Sequence, residues 1–94
     1  MSVPAHAKLS PAESVLTRTV GDEMVLLNLS TEYYFGLDPV GAAMWQAICD
    51  TGTLTGAQEV LSGVYDVETA RVGNDLRDLV EQLVEHHLLE VADE

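Results

Sequence analysis

The sequence predicts an α+β fold, in which a three-stranded antiparallel sheet is followed by three helices, as in a winged helix-turn-helix domain. Three observations support this: apolar residues alternate over residues 15–37, the period becomes helical after residue 38, and turn signals separate the segments. A chain of 94 residues is expected to form one domain. We therefore expect a single domain over residues 15–92 and a loose N-terminal arm over residues 1–14, with a candidate short strand around Ala7–Leu9.

The predicted sheet comes from three short segments that are rich in β-branched and aromatic residues. They are Val15–Val20, Met24–Leu29 and Glu32–Leu37. Because side chains alternate along a strand, the third segment places Tyr33, Phe35 and Leu37 on one face and Tyr34 on the other. Only a few residues separate neighbouring segments, so the strands are expected to pair antiparallel.

The first two predicted helices are identified by their end signals. Asp38 and Pro39 are favoured as the N-cap and the first residue of a helix, and Gly52 fits the position after its end. Thr55 and Gln58 have the spacing of a capping box, which predicts that a second, short helix begins there.

The third predicted helix, from about Val67 to His87, has the clearest pattern. Its apolar residues fall on one arc of the helix, as expected for a helix that packs one face against a core. They are Val72, Leu76, Leu79, Val80, Leu83 and Val84. Polar residues occupy the remaining surface, so the chain is expected to end on an amphipathic helix and a short acidic tail.

The strong negative charge restricts the possible functions. Four Lys and Arg residues stand against sixteen Asp and Glu residues, for a net charge of −12. Such a field repels nucleic-acid phosphates and attracts a cationic peptide, although it is also explained by solubility alone. A winged-helix DNA-binding regulator needs basic residues on its recognition helix, and the predicted second helix has none. We therefore expect no nucleic-acid partner.

No segment of the sequence suggests a membrane. No purely apolar run is longer than the four residues of Met24–Leu27, which is far too short to cross a bilayer. The N-terminus lacks the charged start and apolar stretch of a signal peptide. We expect a cytoplasmic protein with no membrane partner.

Residues that commonly carry catalysis or bind metals occur without the required spacing. A single cysteine, Cys49, excludes a disulfide framework and a cysteine-based metal site. His86 and His87 are adjacent, and their side chains diverge by about 100° on a helix, whereas a metal pair favours a spacing of four residues. The chain has no phosphate-binding glycine loop and no Asp-Ser pair of the kind that carries phosphopantetheine in acyl carrier proteins. We expect no enzymatic activity, cofactor or metal.

Three of the five aromatic residues are consecutive, at Tyr33, Tyr34 and Phe35. One interpretation is that one side of this strand packs on the core and the other reflects β-propensity. The alternative is an edge strand that accepts another strand, with main-chain hydrogen bonds supplying register and neighbouring apolar pockets supplying specificity. The residues alone leave both interpretations open.

The run LLNLSTEYYFGLDPVGAAMWQAI, over residues 26–48, resembles the PqqD-like family. The similarity lies in an ordered set of features: an apolar strand, a turn, an aromatic strand, a helix cap, a glycine and a tryptophan. The matching residues are Leu27, Leu29, Tyr34, Phe35, Gly36, Leu37, Asp38, Gly41 and Trp45. The similarity continues through Tyr65–Val67, the third helix and Leu88-Leu89. Members of this family are peptide-recognition domains of ribosomally synthesised peptide pathways, known as RiPP recognition elements.

The resemblance implies a non-catalytic domain to which the leader segment of a precursor peptide adds as a strand. On this chain the accepting edge would be formed by Glu32, Tyr33, Tyr34, Phe35 and Gly36. The facing helix wall would be drawn from Val72, Asp75, Leu76, Leu79 and Leu83.

The free-standing length and the stretch STEYYFGLDPVGAAMW, over residues 30–45, make the chain look most like the discrete leader-binding proteins of lasso-peptide pathways. In those pathways the further partners are a leader peptidase and a macrolactam-forming cyclase. A generic protein–protein interaction module and a winged-helix DNA-binding regulator remain the alternatives.

Overall fold

The computed structural model describes residues 3–4, 6–64 and 69–92, and it confirms the predicted α+β architecture. The elements in chain order are β1 (Lys8–Pro11), β2 (Val15–Val20), β3 (Glu23–Asn28), β4 (Tyr33–Leu37), α1 (Pro39–Thr51), α2 (Leu54–Val64), α3 (Thr69–Glu85) and β5 (Leu89–Ala92). The three predicted strands are β2, β3 and β4, and the three predicted helices follow them directly.

The main sheet is antiparallel, with the strand order β2-β3-β4. Leu26 in the central strand lies opposite Thr17 on one side and Phe35 on the other. Leu26 is buried, and so is Asn28, which lies two residues further along the same face of β3. This face of the sheet therefore packs on the helices. The predicted alternation is confirmed, and β4 lies at the edge of the sheet.

A second sheet joins the two ends of the chain. Strand β1 pairs antiparallel with β5, and the Leu9 amide donates a hydrogen bond to the Gly52 carbonyl oxygen at 2.7 Å. Val3 and Leu9 are buried in the core. The segment expected to be a loose arm therefore contributes a strand and two core residues, because its pairing partner lies at the far end of the sequence.

The ends of α1 follow the sequence signals. The Asp38 carboxylate accepts a hydrogen bond from the Gly41 amide at 2.7 Å, and Pro39 is the first helical residue. Gly52 ends the helix in the left-handed conformation, with φ 77°, and its amide donates to the Ile48 carbonyl oxygen. Glycine adopts this conformation at little cost, which explains its place at the helix end.

The start of α2 differs from the sequence prediction, whereas the predicted start of α3 cannot be compared with the structure. Helix α2 begins at Leu54, and the Thr53 hydroxyl oxygen accepts a hydrogen bond from the Gly56 amide at 2.9 Å. Thr53 is thus the N-cap, and the start predicted at Thr55 was wrong, because two threonines in close succession offer similar capping groups. The start of the third helix predicted near Val67 lies outside the described residues.

A tight turn ends α3 and leads into β5. His87 adopts a left-handed conformation with φ 62°, in the position that glycine more often occupies. The Leu88 amide donates to the Leu83 carbonyl oxygen at 2.8 Å, and the His87 amide donates to the Val84 carbonyl oxygen at 3.1 Å. These two bonds satisfy carbonyl groups at the end of the helix, and Leu88 and Leu89 then enter the core.

Candidate functional site

An aromatic cluster joins the edge strand β4 to the end of α3. The rings of Tyr33 and His86 are stacked, with centroids 4.3 Å apart and planes 10° apart. Phe35 lies beside the same imidazole, with ring centroids 6.3 Å apart. Tyr33 and Phe35 share the helix-facing side of β4 because side chains alternate along a strand. We use the term groove for the space between the free edge of β4 and the face of α3 that leads to His86, which lies in the turn directly after the helix.

A buried asparagine fixes the start of β4 relative to the end of α3. The Asn28 side chain is 3% exposed, and its Nδ2 donates to the His87 carbonyl oxygen at 2.6 Å. Its Oδ1 accepts hydrogen bonds from the Ser30 and Thr31 amides at 2.8 and 3.0 Å. One side chain therefore holds both the turn that precedes β4 and the turn that follows α3.

The helical wall of the groove follows from the position of His86. Residues three and four apart lie on the same face of a helix, so Gln82, Leu79 and Asp75 extend back along α3 from His86. Gln82 and Asp75 are exposed, whereas Leu79 is half-buried. This face thus presents one accessible apolar side chain between polar ones.

The structure separates the residues that were predicted for the strand edge. Tyr33 and Phe35 face α3, while Tyr34 and Gly36 point to the opposite face of the sheet. Glu32 lies before β4, in the connecting turn, and has a left-handed conformation with φ 62°. Four of the five predicted residues belong to β4, and Glu32 does not. Only Tyr33 and Phe35 direct their side chains toward the groove.

The structure also separates the residues that were predicted for the helix wall. Val72, Leu76 and Leu83 are buried in the core, so a bound molecule would not reach their side chains without a change in packing. Asp75 is exposed and Leu79 is half-buried, so these two have side chains that a bound molecule can reach. The contacts of all five with a peptide remain a prediction.

Sequence reasoning did not identify His86 or Asn28 as parts of this site. In the sequence, His86 is considered only together with His87, as a pair that lacks the spacing of a metal site, because nothing in the local sequence links it to an aromatic strand more than fifty residues earlier. Asn28 precedes Ser30-Thr31, and an asparagine two residues before a turn amide is typical of an Asx turn. That signal predicts the turn, but not the contact with the His87 carbonyl.

The described residues offer little for catalysis. They contain no cluster of side chains that could hold a metal ion. Partial burial and the neighbouring Asp50 carboxylate raise the pKa of the Cys49 thiol, which disfavours the reactive thiolate. Within the same residues, no helix is both long and apolar enough to cross a membrane.

Comparison with protein families identifies a family model that matches most of the chain. The model of the PqqD family, described as coenzyme PQQ synthesis protein D, matches residues 23–89. The matched segment runs from the start of β3 to the first residue of β5, so it contains β4, α3 and the turn between α3 and β5. The chain belongs to the PqqD family. The resemblance seen in the sequence is thus confirmed.

Two solved structures are similar to this PqqD-family chain. TbiB1 in complex with the TbiA(beta) leader peptide is 32% identical, with a TM-score of 0.81, over 90% of this chain and 99% of that one. Lasso peptide synthetase B1 complexed with the leader peptide is 23% identical, with a TM-score of 0.79, over 89% of this chain and 99% of that one. The second likeness shows the fold alone. No curated protein sequence matches the chain.

Proposed function

We propose that this PqqD-family protein is a RiPP recognition element, which binds the leader segment of a precursor peptide in lasso-peptide biosynthesis and catalyses no reaction. One observation carries the proposal. The free edge of β4 lies beside α3 in a chain that is 32% identical, over nearly its full length, to TbiB1 in complex with a leader peptide.

Strand addition to β4 is the binding mode that the sheet favours. Among the described residues β4 pairs with β3 alone, so the N–H and C=O groups along its other side are available. An extended peptide that pairs there satisfies these groups and is held in register by them. The backbone of β4 thus contributes affinity for an extended peptide of any sequence. The side chains of the groove determine which peptide sequences bind.

The groove selects the guest through every second side chain. Alternate residues of an added strand point toward the helices, where Tyr33, Phe35, His86 and Leu79 offer aromatic and apolar contact. The net charge of −12 on the whole chain speeds the approach of a leader that carries lysines. We therefore propose an extended leader with apolar residues at alternate positions and basic residues elsewhere.

The chemical steps are assigned to separate enzymes. Besides main-chain groups, the groove contains the rings of Tyr33, Phe35 and His86 and the side chains of Leu79, Gln82 and Asp75. We propose that these groups bind a peptide but do not cleave or cyclise it. We propose that a leader peptidase and a macrolactam-forming cyclase act on the bound precursor. Because precursor peptides are made on ribosomes, we place this assembly in the cytoplasm.

Titration with separate peptides tests the proposal. The leader segment of the pathway's precursor is expected to bind with a Kd between about 10 nM and 10 μM, a range typical of specific binding by a small domain. The core segment is expected not to bind at the same concentrations. Fluorescence anisotropy of each labelled peptide gives both affinities, and tighter binding of the core than of the leader would contradict the proposal.

Amide hydrogen exchange tests the site of strand addition. Saturating leader is expected to slow exchange at alternate amides within Tyr33–Leu37 by about a hundredfold, because those amides become hydrogen-bonded to the guest. Amides of Val15–Val20, at the opposite edge of the same sheet, serve as the control and should change little. Protection of the control strand with none in β4 would place the peptide elsewhere.

A further inference from the structure

The face of the main sheet turned away from the helices is apolar and uncovered by any described residue. We call it the outer face and define it by Leu16, Arg18, Val20, Val25, Leu27 and Tyr34. Leu16, Leu27 and Tyr34 form a row across the three strands, and Leu16 and Tyr34 are 55% and 68% exposed. Large apolar side chains grouped in this way on a small protein are typical of an interaction surface.

The outer face is not flat. A hollow of about 330 Å³ is lined by Leu16, Thr17, Arg18, Val25, Leu27 and Tyr34. Gly36 lies opposite Val25 on the edge strand, and a Cβ atom built on Gly36 would meet nothing within 4 Å, so one side of this region is open. A hollow of this size, with an apolar floor, accepts a large side chain from a partner.

The charge of the outer face differs from that of the whole chain. The protein carries a net charge of −12, yet the only acidic residue on this side of the three strands is Glu23, at the end of β3. Arg18 lies among the apolar residues and makes no hydrogen bond or ion pair with any residue that the structure describes. Arg18 is exposed, with Val25 opposite it and Leu16 and Val20 on either side of it along the same face of β2. An exposed guanidinium group beside apolar side chains is well placed to pair with a carboxylate of another molecule.

We propose that the outer face docks a second protein, whose contact surface has an apolar centre and a carboxylate that pairs with Arg18. A second copy of this chain is a poorer occupant, because two chains of charge −12 repel each other and a two-fold axis through the hollow would bring two Arg18 side chains together. In the proposed function the leader uses the edge of β4 and its helix-facing side, so only the part of the outer face next to Tyr34 would lie near it. This inference rests on the proposed function in one respect, since the proposed function identifies the enzymes that are tested as partners.

The test uses the purified leader peptidase and cyclase of the same pathway as probes, each titrated against the immobilised full-length protein. The variant Arg18→Glu is expected to weaken the binding of one of these enzymes by about tenfold or more, and Leu16→Thr by a smaller factor. Lys8→Glu makes the same change of charge on β1, in the other sheet, and should leave enzyme binding unchanged. Val60→Thr changes an exposed apolar residue of α2 and is the control for Leu16→Thr.

A charge exchange then tests the predicted pairing. An enzyme in which a contacting carboxylate is changed to lysine should recover its binding to Arg18→Glu while losing its binding to the wild-type protein. Leader affinity, measured separately by anisotropy, should stay within about twofold in every variant, so failure of leader recognition is distinguished from failure of docking. Equal binding of both enzymes to wild type and to Arg18→Glu would overturn the proposal. So would sedimentation that shows a wild-type dimer disrupted by Arg18→Glu, because a second copy would then occupy the face.

Discussion

Leu76→Asp is expected to unfold the protein, whereas Leu79→Asp is expected to leave it folded and to abolish most leader binding. Leu76 is 1% exposed, and a charge buried there without a partner costs several kcal/mol, on the order of the total stability of a small domain. Leu79 is half-buried, so a carboxylate at this position reaches water. Placed in the groove wall, it would weaken leader binding by about tenfold or more, which corresponds to about 1.4 kcal/mol. Circular dichroism melts and leader titrations measure the two effects.

A neutral variant separates lost apolar contact from added charge. Leu79→Ala should weaken binding less than Leu79→Asp, because it removes apolar area without placing a charge in the groove. Asp75→Asn lies one turn away on the same face and should change binding by less than either. If folded Leu79→Asp binds the leader like wild type, the wall of the groove lies elsewhere on α3. A folded Leu76→Asp would contradict the core placement of that residue.

The two leucines show what helical periodicity predicts and what it leaves undetermined. The period placed Leu76 and Leu79 on one apolar arc, and the structure confirms that both face inward to some degree. The arc does not reveal where the core ends and the groove begins, because that boundary depends on which neighbour covers each side of the helix. The stacking of His86 on Tyr33 supplies this information, and it involves residues far apart in sequence.

Local patterns predict strand β4 and the alternation of its side chains, but they do not predict the contacts from distant residues that hold β4 in place. Alternation along β4 is a property of five consecutive residues, so the inward direction of Tyr33 and Phe35 could be predicted. The contact from Asn28 to the His87 carbonyl spans 59 positions, and β1 pairs with a strand at the other end of the chain. Contacts of this length leave no periodic signal. The family resemblance supplied the function, since the residues alone indicated only an acidic domain with an aromatic edge.

Asn28→Ala is expected to destabilise the protein by about 2–4 kcal/mol and to weaken leader binding even where the variant is still folded. The substitution removes three hydrogen bonds, each of which contributes about 0.5–1.5 kcal/mol, and leaves the His87 carbonyl without its side-chain donor. Because the same bonds hold β4 against the end of α3, the groove should be held less firmly at this end. Urea denaturation measures the stability, and anisotropy measures the affinity under conditions where most of the variant is folded.

Asn28→Asp separates the hydrogen bond to the His87 carbonyl from the two hydrogen bonds that hold the turn before β4. Aspartate has nearly the same shape and retains the oxygen that accepts from the Ser30 and Thr31 amides, but an ionised carboxylate cannot donate to the His87 carbonyl. If the bond to His87 sets the groove, Asn28→Asp should weaken leader binding about as much as Asn28→Ala, while the Ser30 and Thr31 amides keep their protection from exchange. Ser30→Ala removes a neighbouring side chain in the same turn without touching that bond, so it should bind leader normally. Wild-type affinity in a folded Asn28→Asp variant would show that the turn alone positions β4, and that the end of α3 is held by its aromatic contacts with Tyr33 and Phe35.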